Sequence, residues 1–221
     1  MTIMTLMNPV AGENTYLLVN DEAILVIDPG SKGQAIISQI HAINKPVAAI
    51  LLTHTHYDHI MSLELVRENC QHPPVYVAKE EASWLYRPEM NLSGLIRHAN
   101  LPDIICKPAE KLFQYQTPYQ LAGFHFSVVP TPGHSAGGVS FIFEQEEAVF
   151  TGDALFRESI GRTDLPTGNL EQLLASIRDR LLTLPNHYQV YPGHGSATTI
   201  SHEKNSNPFL RQRQAQATKI N

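Results

Sequence analysis

The stretch HTHYDH, residues 54–59, places three histidines and one aspartate within six positions. It comes directly after PVAAILLT, residues 46–53, an apolar run that is typical of a strand buried on both faces. Side chains two residues apart in extended backbone lie on the same side, so His54 and His56 can bind one ion together. Asp58 and His59 follow where the chain turns into a helix, and we expect them to serve a second ion.

Three other strand ends carry the same kind of side chain. His134 lies in TPGHS, Asp153 in TGD and His194 in YPGHG, each after an apolar run. Strand ends in layered α/β folds gather at one edge, where sites are commonly built. Imidazole and carboxylate groups bind zinc, iron and manganese, and this many groups predict two divalent metal ions. The other histidines lie in no such turn and are expected to have no ligand role: His41, His72, His98, His125, His187 and His202.

The composition is that of an ordinary globular chain. Of its 221 residues, 43% are hydrophobic and 17% are charged, with a formal net charge of −5. We expect one domain over residues 1–221, and the acidic balance argues against a nucleic-acid partner. No apolar run reaches the roughly 18 residues of a spanning helix, so no membrane partner is expected. Cys70 and Cys106 have no metal or redox spacing, which predicts reduced thiols in a cytoplasmic protein.

Apolar runs in rough alternation predict a sheet covered by helices. YLLVN and AILVID predict a hairpin that turns at Asn20-Asp21. The other predicted strands lie at 47–53, 75–78, 124–131, 138–145, 148–153 and 188–195, and the predicted helices at 33–44, 59–70, 169–184 and the start of 199–221. In the helix at 169–184, Asn169 is the predicted N-cap and Leu170 begins the predicted buried stripe. The proline-containing segment 87–118 is predicted to be a long excursion that can cover a site.

The order HTHYDH, His134, Asp153, His194 resembles the HxHxDH, His, Asp, His pattern of the metallo-β-lactamase superfamily. Asp28 in VIDPG matches the early structural aspartate of that superfamily. The resemblance implies an α+β fold, a four-layer αβ/βα sandwich of two mixed β-sheets with outer helices and metals at one edge. Segments such as ENTYLLV, TGDALF, GRTDLP and EKNSNPFLR are similar to those of short bacterial glyoxalase II-like hydrolases.

The resemblance also implies a role for each predicted ligand. His54, His56 and His134 would hold the first metal, Asp58, His59 and His194 the second, and Asp153 would bridge both. Zinc is the first choice, with iron or manganese as alternatives, because all the donors are nitrogen or oxygen. Asp58 would also orient the attacking water and is the predicted catalytic residue. Arg162, in GRTDLP, is the candidate contact for an anionic part of the substrate, and a salt bridge with Asp164 is its competing role.

The expected function is hydrolysis of a small acyl thioester, S-lactoylglutathione or a relative, by a monomer or homodimer. One alternative is a persulfide dioxygenase with a single iron on His54, His134 and Asp153. Others are a lactone or phosphoester hydrolase and a non-catalytic metal-binding protein. The classical β-lactamases carry a cysteine where Asp153 stands, which argues against antibiotic hydrolysis.

Overall fold

The computed structural model describes residues 1–95, 100–115 and 117–211, and these form two mixed β-sheets with helices outside. The first sheet is built, in spatial order, from β1 (Thr2–Met7), β2 (Asn14–Val19), β3 (Ile24–Ile27), β4 (Val47–Leu51), β5 (Val75–Val77) and β6 (Lys111–Leu112). Strands β1 to β3 are antiparallel, and β3 to β6 are parallel. The parallel part is the part that leads into HTHYDH.

The second sheet contains β7 (Pro118–Leu121), β8 (Phe124–Pro130), β9 (Val139–Phe143), β10 (Ala148–Gly152), β13 (Gln189–Pro192) and β14 (Thr198–Thr199), in the order β14-β13-β10-β9-β8-β7. A small separate hairpin is formed by β11 (Leu155–Phe156) and β12 (Ser159–Ile160). Strands β10 and β13 are parallel, so their carboxyl ends, which precede Asp153 and His194, lie side by side.

The helices are α1 (Gly33–Ile43), α2 (Tyr57–Ile60), α3 (Leu63–Asn69), α4 (Leu170–Ser176), α5 (Ile200–Ser206) and α6 (Pro208–Arg211), with a 3₁₀ helix at Lys79–Tyr86 and a π turn at Ile177–Leu181. Helices α1 and α3 pack on the outer face of the first sheet, and α4 packs on that of the second. Between the sheets lies a core rich in aromatic side chains, in which Phe126 stacks on Phe143 at 5.1 Å between ring centroids. The predicted α+β sandwich of four layers is therefore confirmed.

Three local predictions were wrong or incomplete. The helix predicted at 59–70 is broken between α2 and α3, because the backbone N–H and hydroxyl of Ser62 donate to the carbonyls of Pro29 and Gly30. Asn169 caps α4 as predicted, its side chain accepting from the Gln172 N–H at 3.0 Å. Leu170, however, is 48% exposed, because it stands at the first position of α4, before the helix reaches the sheet. The edge strand β1 was not predicted from its sequence, TIMTLM.

The excursion at 87–118 is held by hydrogen bonds to the body of the fold. Arg67, whose side chain is 2% exposed, donates to the carbonyls of Lys107 and Pro108. The Asn91 carbonyl accepts from the N–H of Tyr57, the first residue of α2. His98 and the end of the predicted tail, residues 212–221, lie outside the described residues. Within the described ranges, no helix combines the length and the apolar character needed to cross a bilayer.

Candidate metal centre

All seven predicted ligand side chains come together at one edge of the sandwich, where the two sheets meet. Residues 54–59 follow β4 of the first sheet, whereas His134, Asp153 and His194 follow β8, β10 and β13 of the second sheet. Six of the seven form two groups, in each of which one nitrogen or oxygen atom per residue lies within 4.8 Å of the others, and a third such group joins Asp28 to His54 and His59. The first group is His54, His56 and His134, and the second is Asp58, His59 and His194.

Asp153 lies between the two groups. Its Oδ2 is 3.3 Å from His134 Nε2 on one side and 3.3 Å from His194 Nε2 on the other. Its Oδ1 is 3.4 Å from His59 Nε2. One carboxylate therefore faces both histidine groups at once, as a bridging ligand must.

Hydrogen bonds to the second ring nitrogen fix how three of the histidines face the centre. The Nδ1–H groups of His134 and His194 donate to the carbonyls of Arg162 and Ala11, at 2.8 and 3.1 Å. The Nδ1 of His59 lies 2.9 Å from Asp28 Oδ2, to which it donates. With Nδ1 protonated, each neutral ring turns the lone pair of Nε2 towards the centre, which is the tautomer that a metal requires.

The donor arrangement fits a pair of cations. The Nε2 atoms of His59 and His194 are 3.3 Å apart, so in the neutral rings two lone pairs face each other. Within the described residues, His54 Nε2 and Asp153 Oδ1 are buried and have no hydrogen-bond partner. Buried polar atoms rarely lack partners, and cations between these groups would satisfy both atoms and separate the facing lone pairs.

The centre attracts positive charge. Burial opposes protonation of His59 and His194, but Asp58 and Asp153 outweigh it for His59 and Asp153 does so for His194, so the pKa of each ring is raised. A metal ion would displace these protons.

Burial, reinforced by the neighbouring His59, holds the pKa of His54 well below its usual range, so this imidazole is neutral. Burial opposes charge on Asp153 as well, but His194, His59 and His134 outweigh it and hold the pKa of the carboxyl well below its usual range. Neutral imidazole and ionised carboxylate are the metal-binding forms of these groups.

Asp28 supports HTHYDH from below, as the family resemblance implied. Its Oδ1 accepts from the Thr53 N–H at 2.8 Å, and its Oδ2 accepts from the Thr53 hydroxyl at 2.5 Å and from His59. It occupies the left-handed region, with φ of 49°. The Asp28 carboxylate therefore fixes both the chain just after β4, at Thr53, and the orientation of the His59 ring.

A scan against family models matches residues 9–194 to the model described as the metallo-beta-lactamase superfamily. The chain belongs to the metallo-β-lactamase superfamily. A protein of Streptococcus pyogenes named "probable metallo-hydrolase" is 64% identical over 95% of this chain and 90% of its own length. The Haemophilus influenzae hydroxyacylglutathione hydrolase GloC is 34% identical over 90% of this chain and 92% of its own length. These relatives indicate that the chain is a metallo-hydrolase of the superfamily.

Solved structures of the superfamily match along nearly the whole chain. The BLEG-1 B3 metallo-beta-lactamase is 39% identical with a TM-score of 0.90, and the match covers 95% of this chain and 100% of that one. A protein named TTHA1623, solved in a di-iron-bound form, is 35% identical with a TM-score of 0.79, and the match covers 95% of this chain and 100% of that one. The superfamily binds divalent metals, and the two groups at the sandwich edge are where this chain has the donors for them.

The centre opens into a cleft of about 400 Å³. The apolar parts of its walls are formed by Tyr57, Leu92, Phe156, Ile160 and Leu165. Arg162 lies at the cleft but makes a two-point salt bridge with Asp164, with both N···O distances at 2.7 Å. The predicted competing role of Arg162 is thus the contact seen, and its substrate role stays a prediction.

Sequence reasoning missed the residues that hold the centre in place. The Asn14 side chain donates to the carbonyls of Pro192 and Gly195, and its N–H donates to the Gly193 carbonyl, so it clamps the turn that carries His194. Gly193 has no room for a Cβ atom, which would overlap Asp153 Oδ1. Both stretches, ENTYLLV and YPGHG, could be recognised in the sequence. Nothing in either one shows that they are in contact, because Asn14 and Pro192 are 178 residues apart in the chain.

The groups predicted to have no chemical role lie elsewhere. His187 pairs with Glu147 and His202 with Glu158, while His41, His72 and His125 are exposed. None of these five belongs to a metal-type cluster among the described residues. Cys70 and Cys106 are both free thiols, as predicted.

Proposed function

We propose that the chain is a dinuclear metal-dependent hydrolase of a small acyl thioester, of the glyoxalase II type, acting on S-lactoylglutathione or a related compound. The observation that carries this proposal is the position of Asp153 Oδ2, 3.3 Å from a histidine of each group. His54, His56 and His134 would hold one ion and Asp58, His59 and His194 the other, with the Asp153 carboxylate placed between the two groups. The 34% identity with the H. influenzae hydroxyacylglutathione hydrolase supports the substrate class.

Zinc is the metal that we propose first, with iron or manganese as alternatives. The donor set of imidazole and carboxylate suits each of them, and the di-iron form of TTHA1623 supports iron. When bound, a pair of such ions supplies Lewis acidity, which lowers the pKa of water towards about 7 and polarises a carbonyl. No serine or cysteine nucleophile is then required.

Asp58 has the position expected of the group that orients the attacking water. Its Oδ2 lies 3.4 Å from His194 Nε2, and its side chain is 10% exposed and lines the cleft. A carboxylate there accepts a hydrogen bond from the water and holds the proton away from the attacking lone pair. Phe156, Ile160 and Leu165 supply an apolar wall for the acyl chain.

Arg162 is the proposed contact for a carboxylate of the thiol portion. Its salt bridge with Asp164 is exposed, with side chains 54% and 68% accessible, and exposed pairs contribute only about 0–1 kcal/mol. An anionic substrate can therefore replace Asp164 at little cost. Arg162→Ala should raise KM for S-lactoylglutathione, whereas the matched variant Asp164→Asn should lower it. Equal KM values in both variants would assign Arg162 to the salt bridge alone.

The main test combines metal analysis with turnover on the same sample. We expect two metal ions per chain and hydrolysis of S-lactoylglutathione, and a loss of turnover of at least about 100-fold in Asp58→Ala. His125→Ala changes an exposed histidine far from the centre and should behave as wild type. Two bound ions without thioester hydrolysis would remove the substrate assignment and leave the metal centre in place.

Hydrolysis of β-lactams is the second candidate, and one observation favours it. The BLEG-1 B3 metallo-beta-lactamase matches this chain with a TM-score of 0.90 at 39% identity. The aspartate at position 153, where the classical enzymes carry cysteine, favours the thioester. A chromogenic β-lactam assayed beside the thioester decides between them, since the better substrate has the higher kcat/KM.

A dioxygenase with one iron would use His54, His134 and Asp153 only. The convergence of Asp58, His59 and His194 to within 4.8 Å favours the dinuclear centre, because one iron on His54, His134 and Asp153 would leave that second group of donors without an ion. Oxygen uptake with glutathione persulfide by the iron-loaded chain would restore the dioxygenase assignment. The same donors could serve lactones or phosphoesters, which the substrate panel should include.

A further inference from the structure

Glu81 is a fully buried carboxylate outside the metal centre. It lies in the 3₁₀ helix at Lys79–Tyr86, and its exposed fraction is 0%. Burial raises its pKa, against the opposing effect of its hydrogen bonds. Glutamate is rarely buried unless it has partners that compensate for lost hydration, so its partners show what it does.

The partners of Glu81 are groups in the two loops that carry the first metal group. Its Oε2 accepts from the N–H of Thr55 at 2.7 Å and from the Thr55 hydroxyl at 3.0 Å. Its Oε1 accepts from the N–H of Gly137 at 2.7 Å. Thr55 stands between His54 and His56 in the chain, and Gly137 follows His134 by three positions.

One side chain therefore joins a loop of the first sheet to a loop of the second. The two carboxylate oxygens are rigidly connected, so their hydrogen bonds set the distance between Thr55 and Gly137. A backbone N–H held in this way fixes the peptide that links His54 to Thr55, and hence the direction of the flanking imidazoles. Gly137 packs so close that a Cβ atom there would lie 2.8 Å from Glu81 Cγ.

We propose that Glu81 is a positioning residue for the first metal ion, which sets His54 and His56 against His134 by holding both loops at once. This inference rests on the dinuclear centre proposed above. Glutamine is the sharpest replacement, because it keeps the shape but turns one of the two acceptor atoms into a donor. Either the Thr55 N–H or the Gly137 N–H then faces an NH₂ group, and one of the two loops is released.

Metal affinity measured by competition with a chromophoric chelator tests the proposal without recourse to turnover. In Glu81→Gln, one of the two ions should bind about 10–100-fold more weakly, the range typical of residues that orient metal ligands, while the other is less affected. Glu203→Gln is the matched control. Glu203 is also 0% exposed, and accepts from Thr198, Glu158 and Asn207, none of which lies in a loop that carries His54, His56 or His134.

Selective weakening in Glu81→Gln, with both ions retained in Glu203→Gln, supports the proposal. Equal affinity in Glu81→Gln and wild type overturns it, and so does an equal loss in both variants, which would indicate general destabilisation. If Glu81→Gln does not fold, Thr55→Val decides: it removes only the 3.0 Å bond, and unchanged affinity for the first ion would overturn the proposal.

Hydrogen exchange in the metal-free chain gives an independent reading. Amides of residues 53–57 and 131–139 should exchange faster in Glu81→Gln than in Glu203→Gln. Equal rates would contradict the proposal that Glu81 holds the two loops. A wild-type chain that binds no metal would refute both this inference and the proposed function. A wild-type chain that binds two ions but leaves thioesters intact would refute the proposed function alone.

Discussion

Replacing Asp28 by asparagine separates the hydrogen bonds of the metal loop from the metal itself. Asp28 is 1% exposed and accepts three hydrogen bonds, one at Oδ1 from the Thr53 N–H and two at Oδ2 from the Thr53 hydroxyl and His59 Nδ1. Asparagine has one acceptor atom. Its better orientation keeps the oxygen at the position with two donors and turns the NH₂ group towards the Thr53 N–H.

The cost follows from that orientation. One hydrogen bond to a charged acceptor is lost, which contributes about 1.5–3 kcal/mol, and a buried donor is left unpaired. We expect Asp28→Asn to lower the free energy of unfolding of the metal-free chain by about 2–4 kcal/mol. The opposite orientation would place NH₂ against His59 Nδ1, move the ring proton to Nε2 and remove the lone pair that a metal needs.

Urea denaturation at pH 7 with a strong chelator measures the free energy of unfolding of the metal-free chain. Metal content after dialysis measures whether His59 keeps the lone pair that a metal needs. Asp164→Asn is the control, because the carboxylate it alters is 68% exposed. A free energy of unfolding within about 0.5 kcal/mol of wild type would refute the reasoning, since that is the range of an ordinary surface substitution. Normal metal content would show that His59 does not need Asp28 to hold its tautomer.

Three further outcomes are expected. Chelation should lower Tm by about 10–20 °C, because ligand at 100 times Kd stabilises by about 2.7 kcal/mol at each of the two sites. Re-addition of zinc should restore Tm, and an unchanged transition would contradict a preformed centre. Leu173→Ala, at a 0% exposed position against the second sheet, should cost about 2–5 kcal/mol in urea, whereas Leu170→Ala, at 48% exposure, should cost under about 0.5. Burial raises the pKa of Cys106 to about 12, so at pH 8 only about one Cys106 thiol in 10⁴ is ionised. Iodoacetamide should therefore label Cys70 before Cys106 in the folded chain. Equal labelling of the two cysteines, measured by mass spectrometry, would contradict the burial of Cys106.

The convergence of the predicted ligand side chains could be predicted from the sequence because each of them follows an apolar run that is typical of a strand. PVAAILLT, FHFSVVPT and AVFTGD are apolar runs, and the chemistry stands at their ends, where a layered fold gathers its loops. The Pro-Gly pairs before His134 and His194 added a second, independent signal. The single domain over residues 1–221, the oligomeric state and the cytoplasmic location stay predictions.

The supporting residues could not be predicted, because their role depends on contacts between distant parts of the chain. Glu81 stands in KEEASWLY, where two adjacent glutamates look like the first turn of an exposed helix, and only the fold buries one against residues 26 and 56 positions away. Leu170 has the spacing of a buried stripe, but the stripe begins before the helix meets the sheet. The break at Ser62 likewise arises from carbonyls some 30 residues earlier in the chain.

The division of the donors between the two sheets bears on how the chain matures during synthesis. His59 precedes His194 by 135 residues, so at about 5–20 residues per second the ribosome takes about 7–27 seconds to go from one to the other. Neither ion has a full set of donors on a nascent chain that stops short of the second sheet. If the proposed centre is correct, selection between zinc, iron and manganese would be made by the finished fold, after translation has ended.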